Sequence, residues 1–316
     1  MHRGKHQSIL LQLAIQFKPH SLIFHQEKTM AVSPLRSKTL HHGRSLSLPS
    51  ESHSAMSQFE ENLSRVRSSQ EACSSLSSMN GRVNGLNTLY DGIDELLLLP
   101  HNQQTISQEC QEKWFEHILD NYVRLLDSCS AVKDLISVNK QDVRELLSAV
   151  RRKDVNGIQG YLTSRRKSKK MIHKYLKNLR SFRCEDSILS LEKEDEKVAI
   201  VYMLKDAESV TLSLLESLLS YTMGSKGQAR KSGWSLISKL IQPKKVSNQG
   251  EETCLNEFEK VDSFLQLTQE NDTQVEELVN HLKEMDSSIQ TLEEQLECLF
   301  RQLIKTRVFL LNILNH

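Results

Sequence analysis

Glycine and proline are scarce in this chain, 11 and 5 of 316 residues. That is less than half their usual combined share. Turn-rich β folds and Gly-rich nucleotide-binding α/β folds need more, so neither class fits. An excess of one charge is also missing. Lys and Arg number 41 against 40 Asp and Glu, a formal net charge of +1. This speaks against a nucleic-acid binder working by bulk charge. No window of about 18–20 residues is free of charge, as a membrane-spanning helix requires. The most apolar stretch, Val198–Tyr221, carries Lys205, Asp206, Glu208 and Glu216 and reads as a buried helix of a soluble protein.

Signatures of chemistry are missing as well. Cys73, Cys110, Cys129, Cys184, Cys254 and Cys298 are widely scattered, with no C-x-x-C pair and no histidine cluster beside them. Structural zinc needs such convergent ligands, so these read as reduced thiols in a reducing compartment. Gly-x-Ser-x-Gly, His-Glu-x-x-His and Gly-x-Gly-x-x-Gly are absent. The run GSKGQARKSG, Gly224–Gly233, lacks the Gly-Lys-Ser/Thr ending of a phosphate loop and reads as a flexible linker. His41 and His42 sit in a tail. The run Glu192, Lys193, Glu194, Asp195, Glu196 reads as a solvated helix start, not a catalytic pair. The expectation is a non-enzymatic protein with no cofactor and no catalytic or metal-binding residues.

What the chain does have is leucine, 47 of them by count, within 38% apolar and 26% charged residues. A leucine-rich, turn-poor, charge-dense chain reads as long helices. The prolines agree. Pro19, Pro34 and Pro49 fall in the first 50 residues, then come Pro100 and, after a long gap, Pro243. Proline is expelled from helix interiors, so the gap permits long helices.

Residues 1–53 read as a disordered basic, Ser-rich tail, and 54–316 as a helical bundle domain. Residues 1–29 are basic and carry an apolar patch, Ile9–Phe17. Gln12 and Gln16 interrupt that patch and no cleavage site follows, against a secretory signal. A mitochondrial presequence fits the charge but lacks the usual Ser and Arg richness. The run from Met30, MAVSPLRSKTL, looks like a natural beginning, making 1–29 an upstream extension. A first helix is expected over Ala55–Ser69, with Phe59, Leu63 and Val66 on one face, then a Ser-rich joint at Ser74–Ser78. A second runs near Met79–Leu99 and ends at Pro100.

The strongest pattern lies in Glu112–Val150. Phe115, Ile118, Tyr122, Leu125, Cys129, Val132, Ile136, Asn139, Val143, Leu146 and Val150 follow one another at spacings of three and four, one stripe of a helix. Asn139 is its single polar member, either a register-setting buried amide or a residue at a wet edge. At the C-terminus, Val275, Leu278, Leu282, Met285, Ile289, Leu292, Leu296, Leu299, Leu303, Thr306, Leu310 and Ile313 keep the same alternation. Polar flanks early (Gln274, Asp286, Glu293) give way to apolar ones later (Phe300, Phe309, Leu314). The helix therefore starts as a coiled-coil-like seam and ends with a wide buried face. The seam can close within the chain or by self-association. A short amphipathic piece, Trp234–Ile241, stops at Pro243. The expected fold is all-α: an elongated antiparallel helical bundle with a coiled-coil-like C-terminal helix and a disordered N-terminal tail.

Two charge blocks stand out. Arg151–Arg183 holds twelve Lys and Arg against Asp154 alone, and Glu251–Glu297 holds fourteen acids against Lys260 and Lys283. They could pair within the bundle. Within the basic block, Ile172, Tyr175, Leu176, Leu179 and Phe182 share a face, while Lys169, Lys170, Lys174, Lys177, Arg180 and Arg183 occupy the rest. A basic amphipathic helix over 161–183 can dock on an acidic protein or lie on anionic lipid. Its aromatic interleaving is too thin for single-stranded nucleic acid.

In the tail, RSLSLP fits the R-S-x-S-x-P pattern accepted by 14-3-3 proteins when Ser47 is phosphorylated. Arg44, Ser45, Ser47 and Pro49 are its members. Phosphate there adds nearly two charges and three acceptors.

The blocks RSLSLPSESH (from Arg44), FEENLSRVRSS (from Phe59), LYDGIDELLLLP (from Leu89), RLLDSCSAVKD (from Arg124), GWSLISKLIQPKKV (from Gly233), NEFEKVD (from Asn256) and LEEQLECLFRQLIKTRVFLLNILNH (from Leu292) occur in order. From about Met30 to His316 the chain resembles a plant-specific family, domain of unknown function 241, related to the BYPASS developmental proteins. The resemblance implies a non-enzymatic plant protein linked to root and shoot development and supplies no catalytic residues. The leading expectation is an interaction or regulatory protein acting through protein contacts. The alternative is a peripheral membrane or trafficking-associated protein using the basic helix on anionic lipid. Either is expected in the cytoplasm or peripherally at membranes.

Overall fold

The computed structural model describes residues 50–68, 75–109, 112–189, 199–224, 255–266 and 272–314. Leu48–His316 forms one compact unit. Among the described residues there are eight α-helices and no strand: α1 Ser50–Ser68, α2 Leu76–Leu98, α3 Pro100–Glu109, α4 Glu112–Arg151, α5 Val155–Leu189, α6 Ala199–Met223, α7 Glu257–Phe264 and α8 Asp272–Leu314. The fold is all-α, as the sequence pattern predicts. The tail over 1–49, the linker Gly224–Gly233 beyond its first residue, the acidic run 192–196 and the segment Trp234–Ile241 lie outside the described residues.

Local chemistry sets the boundaries. The Ser-rich joint supplies a cap: the Ser75 hydroxyl accepts from the Ser78 N–H at 3.1 Å and starts α2. Pro100 ends α2, and it also opens α3, where its missing N–H costs nothing. The link from α4 to α5 is a Schellman turn. Lys153 takes φ 54°, the Asp154 N–H reaches the Ala149 carbonyl at 2.9 Å, and the Lys153 N–H reaches that of Val150 at 3.1 Å. Asp154 then caps α5 by accepting from the Gly157 N–H at 3.1 Å. A Cβ on Gly157 would sit 2.6 Å from that of Ala149, so only glycine lets the two helices approach this closely.

Helix α8 is the axis of the bundle. It packs along α2 on one side and α4 on the other, and α5 and α6 complete the layer around α4. Eleven of the twelve residues of the C-terminal stripe are buried, Val275 being the half-buried exception. The seam closes within the chain. Burying each leucine of such a stripe contributes about 1.5–3 kcal/mol.

Charge fixes the α4–α8 pairing as antiparallel. Lys133 pairs with Glu297, Lys140 with Glu293, and Arg144 Nε with Asp286 Oδ1 at 2.7 Å, so one numbering rises as the other falls. The α2–α8 pairing is parallel, a departure from the fully antiparallel bundle expected. Asn80 Nδ2 donates to the Ser288 carbonyl at 3.0 Å and Asn87 Nδ2 to that of Gln295 at 3.2 Å. Gln302 Nε2 donates to the Asn87 carbonyl at 3.1 Å and to Asp91 Oδ1 at 2.7 Å. Thr306 Oγ1 donates to Asp94 Oδ1 at 2.9 Å, and Lys305 Nζ lies 3.0 Å from Asp94 Oδ2. Asn80, Asn87 and Asp94 are seven residues apart, as are Ser288, Gln295 and Gln302. A heptad ladder of polar contacts thus holds two helices in one parallel register.

Asn139 is buried, and its Nδ2 donates to the Leu135 carbonyl of its own helix at 2.7 Å. It is not at a wet edge. Where α2, α4 and α6 meet, Tyr90 and Thr211 hydroxyls lie 3.0 Å apart. The Thr211 proton goes to the Ala207 carbonyl at 2.7 Å, so Tyr90 donates to Thr211. Burial pushes the Tyr90 and Tyr122 hydroxyls up, and the Cys129 thiol up to about 12, so none ionises near neutrality.

Two outcomes follow from this packing. Thr306→Val keeps the shape but leaves the Asp94 carboxyl short of a donor, and should cost about 1–3 kcal/mol in urea unfolding. Against the opposing effect of burial, the Lys140 hydrogen bond holds Glu293 below its ordinary 4.5, and the Lys133 hydrogen bond does the same for Glu297. Lowered folded-state values mean stability present above 4.5 and lost as pH falls through the folded values. The Glu293→Gln, Glu297→Gln double variant should therefore unfold with a shallower acid limb than the parent in pH-resolved thermal melts.

Candidate docking surface

Helix α5 buries Tyr161, Arg165, Ser168, Ile172, Leu176, Leu179 and Phe182, spaced by three and four, facing α4 and α6, with Arg165 under Phe258 and Asp262 of α7. That period leaves the opposite side to solvent. Arg166, Lys167, Lys170, Lys174 and Lys177 are all exposed there, and no ion pair reaches any of them among the described residues. Neighbours on this row repeat at three and four residues, close enough to repel by a few tenths of a kcal/mol per pair. An anionic partner would relieve that repulsion. The exposed turn Arg151, Arg152 and Lys153 extends the cationic surface, and the Arg152–Asp154 contact is loose at 3.9 Å.

The residues picked out from sequence divide three ways. Lys170, Lys174 and Lys177 stand on the open row. Lys169 Nζ is 2.7 Å from Asp262 Oδ2 on α7, and Arg180 Nε is 2.8 Å from Glu216 Oε1 on α6, so both are engaged within the chain. Arg183 belongs to α5 by its backbone. Arg44, Ser45, Ser47 and Pro49 lie outside the described residues. Sequence reading missed Arg166 and Lys167, whose place on the outer row follows from the same period. It also missed Arg165, whose three-to-four spacing from Tyr161 and Ser168 marks it as inward-facing.

The two charge blocks meet at Asp262, which faces Arg165 and Lys169. The other described pairs between acidic block and bundle go to α4. Elsewhere, Ser164 Oγ donates to Asp142 Oδ1 at 2.7 Å, and burial pushes the Asp142 carboxyl up. A groove of about 150 Å³ between α4, α5 and α6 is lined by Asp127, Ser128, Ala131, Val132, Tyr175, Asn178, Leu179 and Leu219. It brings together no acid–histidine or acid–acid pair. Among the described residues no group of three His, Cys, Asp or Glu could hold a metal, and no helix is long and apolar enough to cross a membrane.

Since the open row has no partner among the described residues, Lys170→Ser, Lys174→Ser and Lys177→Ser together should leave unfolding free energy within about 0.5 kcal/mol of the parent. Thermal and urea unfolding check this. A larger loss would mean that the row is tied into the bundle.

Neither a curated protein nor a solved structure matches the chain. A family model described as Protein BPS1 matches residues 82–313. The match runs from the second turn of α2 to the last turn of α8 and takes in the polar ladder from Asn87 onward, the α4 stripe and the basic helix. It spans well over half of the 316 residues, and the chain belongs to the BPS1 family, the BYPASS-related domain of unknown function 241.

Proposed function

We propose that this chain is a non-enzymatic helical interaction and regulatory protein of plants, associated with root and shoot development, that works through protein–protein contacts. The observation that carries this reading is the row Arg166, Lys167, Lys170, Lys174, Lys177: five exposed cations on a rigid helix that meet no counter-charge among the described residues. Rigidity matters because a pre-ordered row loses little freedom on docking. Charge of this kind selects partner and orientation and speeds encounter. Family membership supports the developmental setting. A groove without paired acids or histidines supports a protein that binds and does not catalyse. Phosphorylated Ser47, within RSLSLP, would add a second contact, to a 14-3-3 protein.

A second reading, peripheral attachment to anionic lipid, draws on two apolar side chains within the cationic surface. Met171 is 43% and Val155 75% exposed. Basic helices that enter a membrane interface combine cations with such apolar contacts. Both readings place the chain in the cytoplasm, with or without membrane contact.

Proximity labelling in root cells, comparing the parent with the Lys170→Ser, Lys174→Ser, Lys177→Ser variant, tests the first reading. A set of labelled proteins that disappears with the row is expected, and an unchanged set would sink it. Sedimentation with phosphatidylserine vesicles decides the second. Binding that weakens steeply with salt and with loss of the row supports it, and no binding at low salt removes it.

A further inference from the structure

Helix α7 is eight residues long, Glu257–Phe264; it packs against α8, and its Phe258 and Asp262 lie against Arg165 and Lys169 of the basic helix. Such a length does not hold as a free helix in water, so α7 depends on what it sits against. Its own start is well made. Asn256 accepts from the Glu259 N–H at 2.9 Å and Glu259 reaches back to the Asn256 N–H at 3.0 Å, a capping box. Only two of its side chains are buried, Phe258 and Val261, where the longer α6 buries fifteen residues. Segments with few buried apolar contacts open at low free energy.

Phe264 packs half-buried against the same core, and the rest of its hold is polar. Glu257 Oε1 accepts from the Leu76 N–H at 3.1 Å, Asn256 Nδ2 donates to the Tyr221 carbonyl at 2.9 Å, and Asp262 faces Lys169 at 2.7 Å and Arg165 at 3.6 Å. The Arg165 arrangement is poor. Its side chain is 3% exposed and its guanidinium lies 4.8 Å from the Phe258 ring centre. Yet among the described residues neither Nη1 nor Nη2 meets a hydrogen-bond partner. A buried cation with unused donors weakens the state that buries it. The docked position of α7 therefore carries its own penalty, at the residue it covers.

Arg165 and Lys169 belong to the same helix as the open row, one position from Arg166 and Lys170. We infer that α7 is a detachable cover, and that the complete docking surface for an acidic protein partner is the open row together with Arg165 and Lys169 once α7 lifts. This rests on the row being a docking surface, as proposed above. Removing Asp262 takes away a competing carboxylate at the same time as it frees two cations. A partner that binds the extended surface better must, by linkage, favour the lifted state. The row alone then makes the first contact, and the covered pair adds affinity only for a partner acidic enough to displace Asp262.

The test uses the full chain with fluorescent poly-L-glutamate as the acidic probe. In hydrogen exchange, amides of Glu259–Phe264 should exchange well before those of α4 and α8. Exchange only with global unfolding overturns the inference. Phe258→Ala with Val261→Ala releases α7 without changing charge, and Asp262→Asn gives a second route should the first perturb folding. Each should bind the probe roughly three- to tenfold tighter, and Arg165→Gln with Lys169→Gln should abolish that gain. If the Lys170, Lys174, Lys177 variant loses probe binding but release brings no gain, the inference fails and the docking row stands. If that variant and the parent bind equally, the row fails and the inference with it. A gain toward phosphatidylserine vesicles without one toward poly-L-glutamate overturns the assignment of an acidic protein partner.

Discussion

The bundle depends on α8 lying between α2 and α4 and satisfying two unlike demands at once. Its leucine stripe must be covered on both sides, because a 43-residue helix with one apolar seam has nothing else to hold it. Apolar burial is non-directional, so it does not fix the sense in which the neighbours run. Two kinds of polar contact do that. Ion pairs to Lys133, Lys140 and Arg144 set α4 antiparallel, and the ladder from Asn80 to Thr306 sets α2 parallel. The first kind is partly exposed and adds little by itself. The second is largely buried, and its groups would be costly to leave unmade in a slipped register.

Much of this was legible in the sequence, for a definite reason. A three-four alternation reports which face of a helix is buried, and it did so for α4 and α8 almost residue by residue. It carries no information on which helix covers that face. Thr306 stood out as the one non-apolar member of the C-terminal stripe, but its partner Asp94 lies more than two hundred positions away, in α2. Pro100 was legible as a stop and is also a start, since the first turn of a helix tolerates proline. Asn139 shows the limit from the other side: an amide in a leucine stripe can turn back onto its own backbone and specify nothing across the interface.

The docking surface was half legible. Counting charges located the basic block, but a count is blind to faces. Lys169 and Lys170 are adjacent in sequence, yet one is held by Asp262 and the other is open to solvent. What separates them is a rotation of about 100° per residue about α5, combined with the position of α7. The composition near 256–264 signals a helix start, Asn followed three residues later by Glu, but not which bundle face receives so short a helix.

The pairing of acidic and basic blocks that the sequence allows is met at Asp262, which faces Arg165 and Lys169. Charge neutrality over the whole chain says only that the sums agree. In space the acids of α8 are drawn to α4, because the leucine stripe fixes α8 against α4 before any charge can choose. The cations of α5 are then left with Glu216 and Asp262 as their described partners, and Asp262 arrives on the shortest of the described helices. Hydrophobic register thus creates the uncompensated row, and a small helix partly covers it. A neutral protein can present a concentrated positive surface when its apolar seams, and not its charges, decide who sits next to whom.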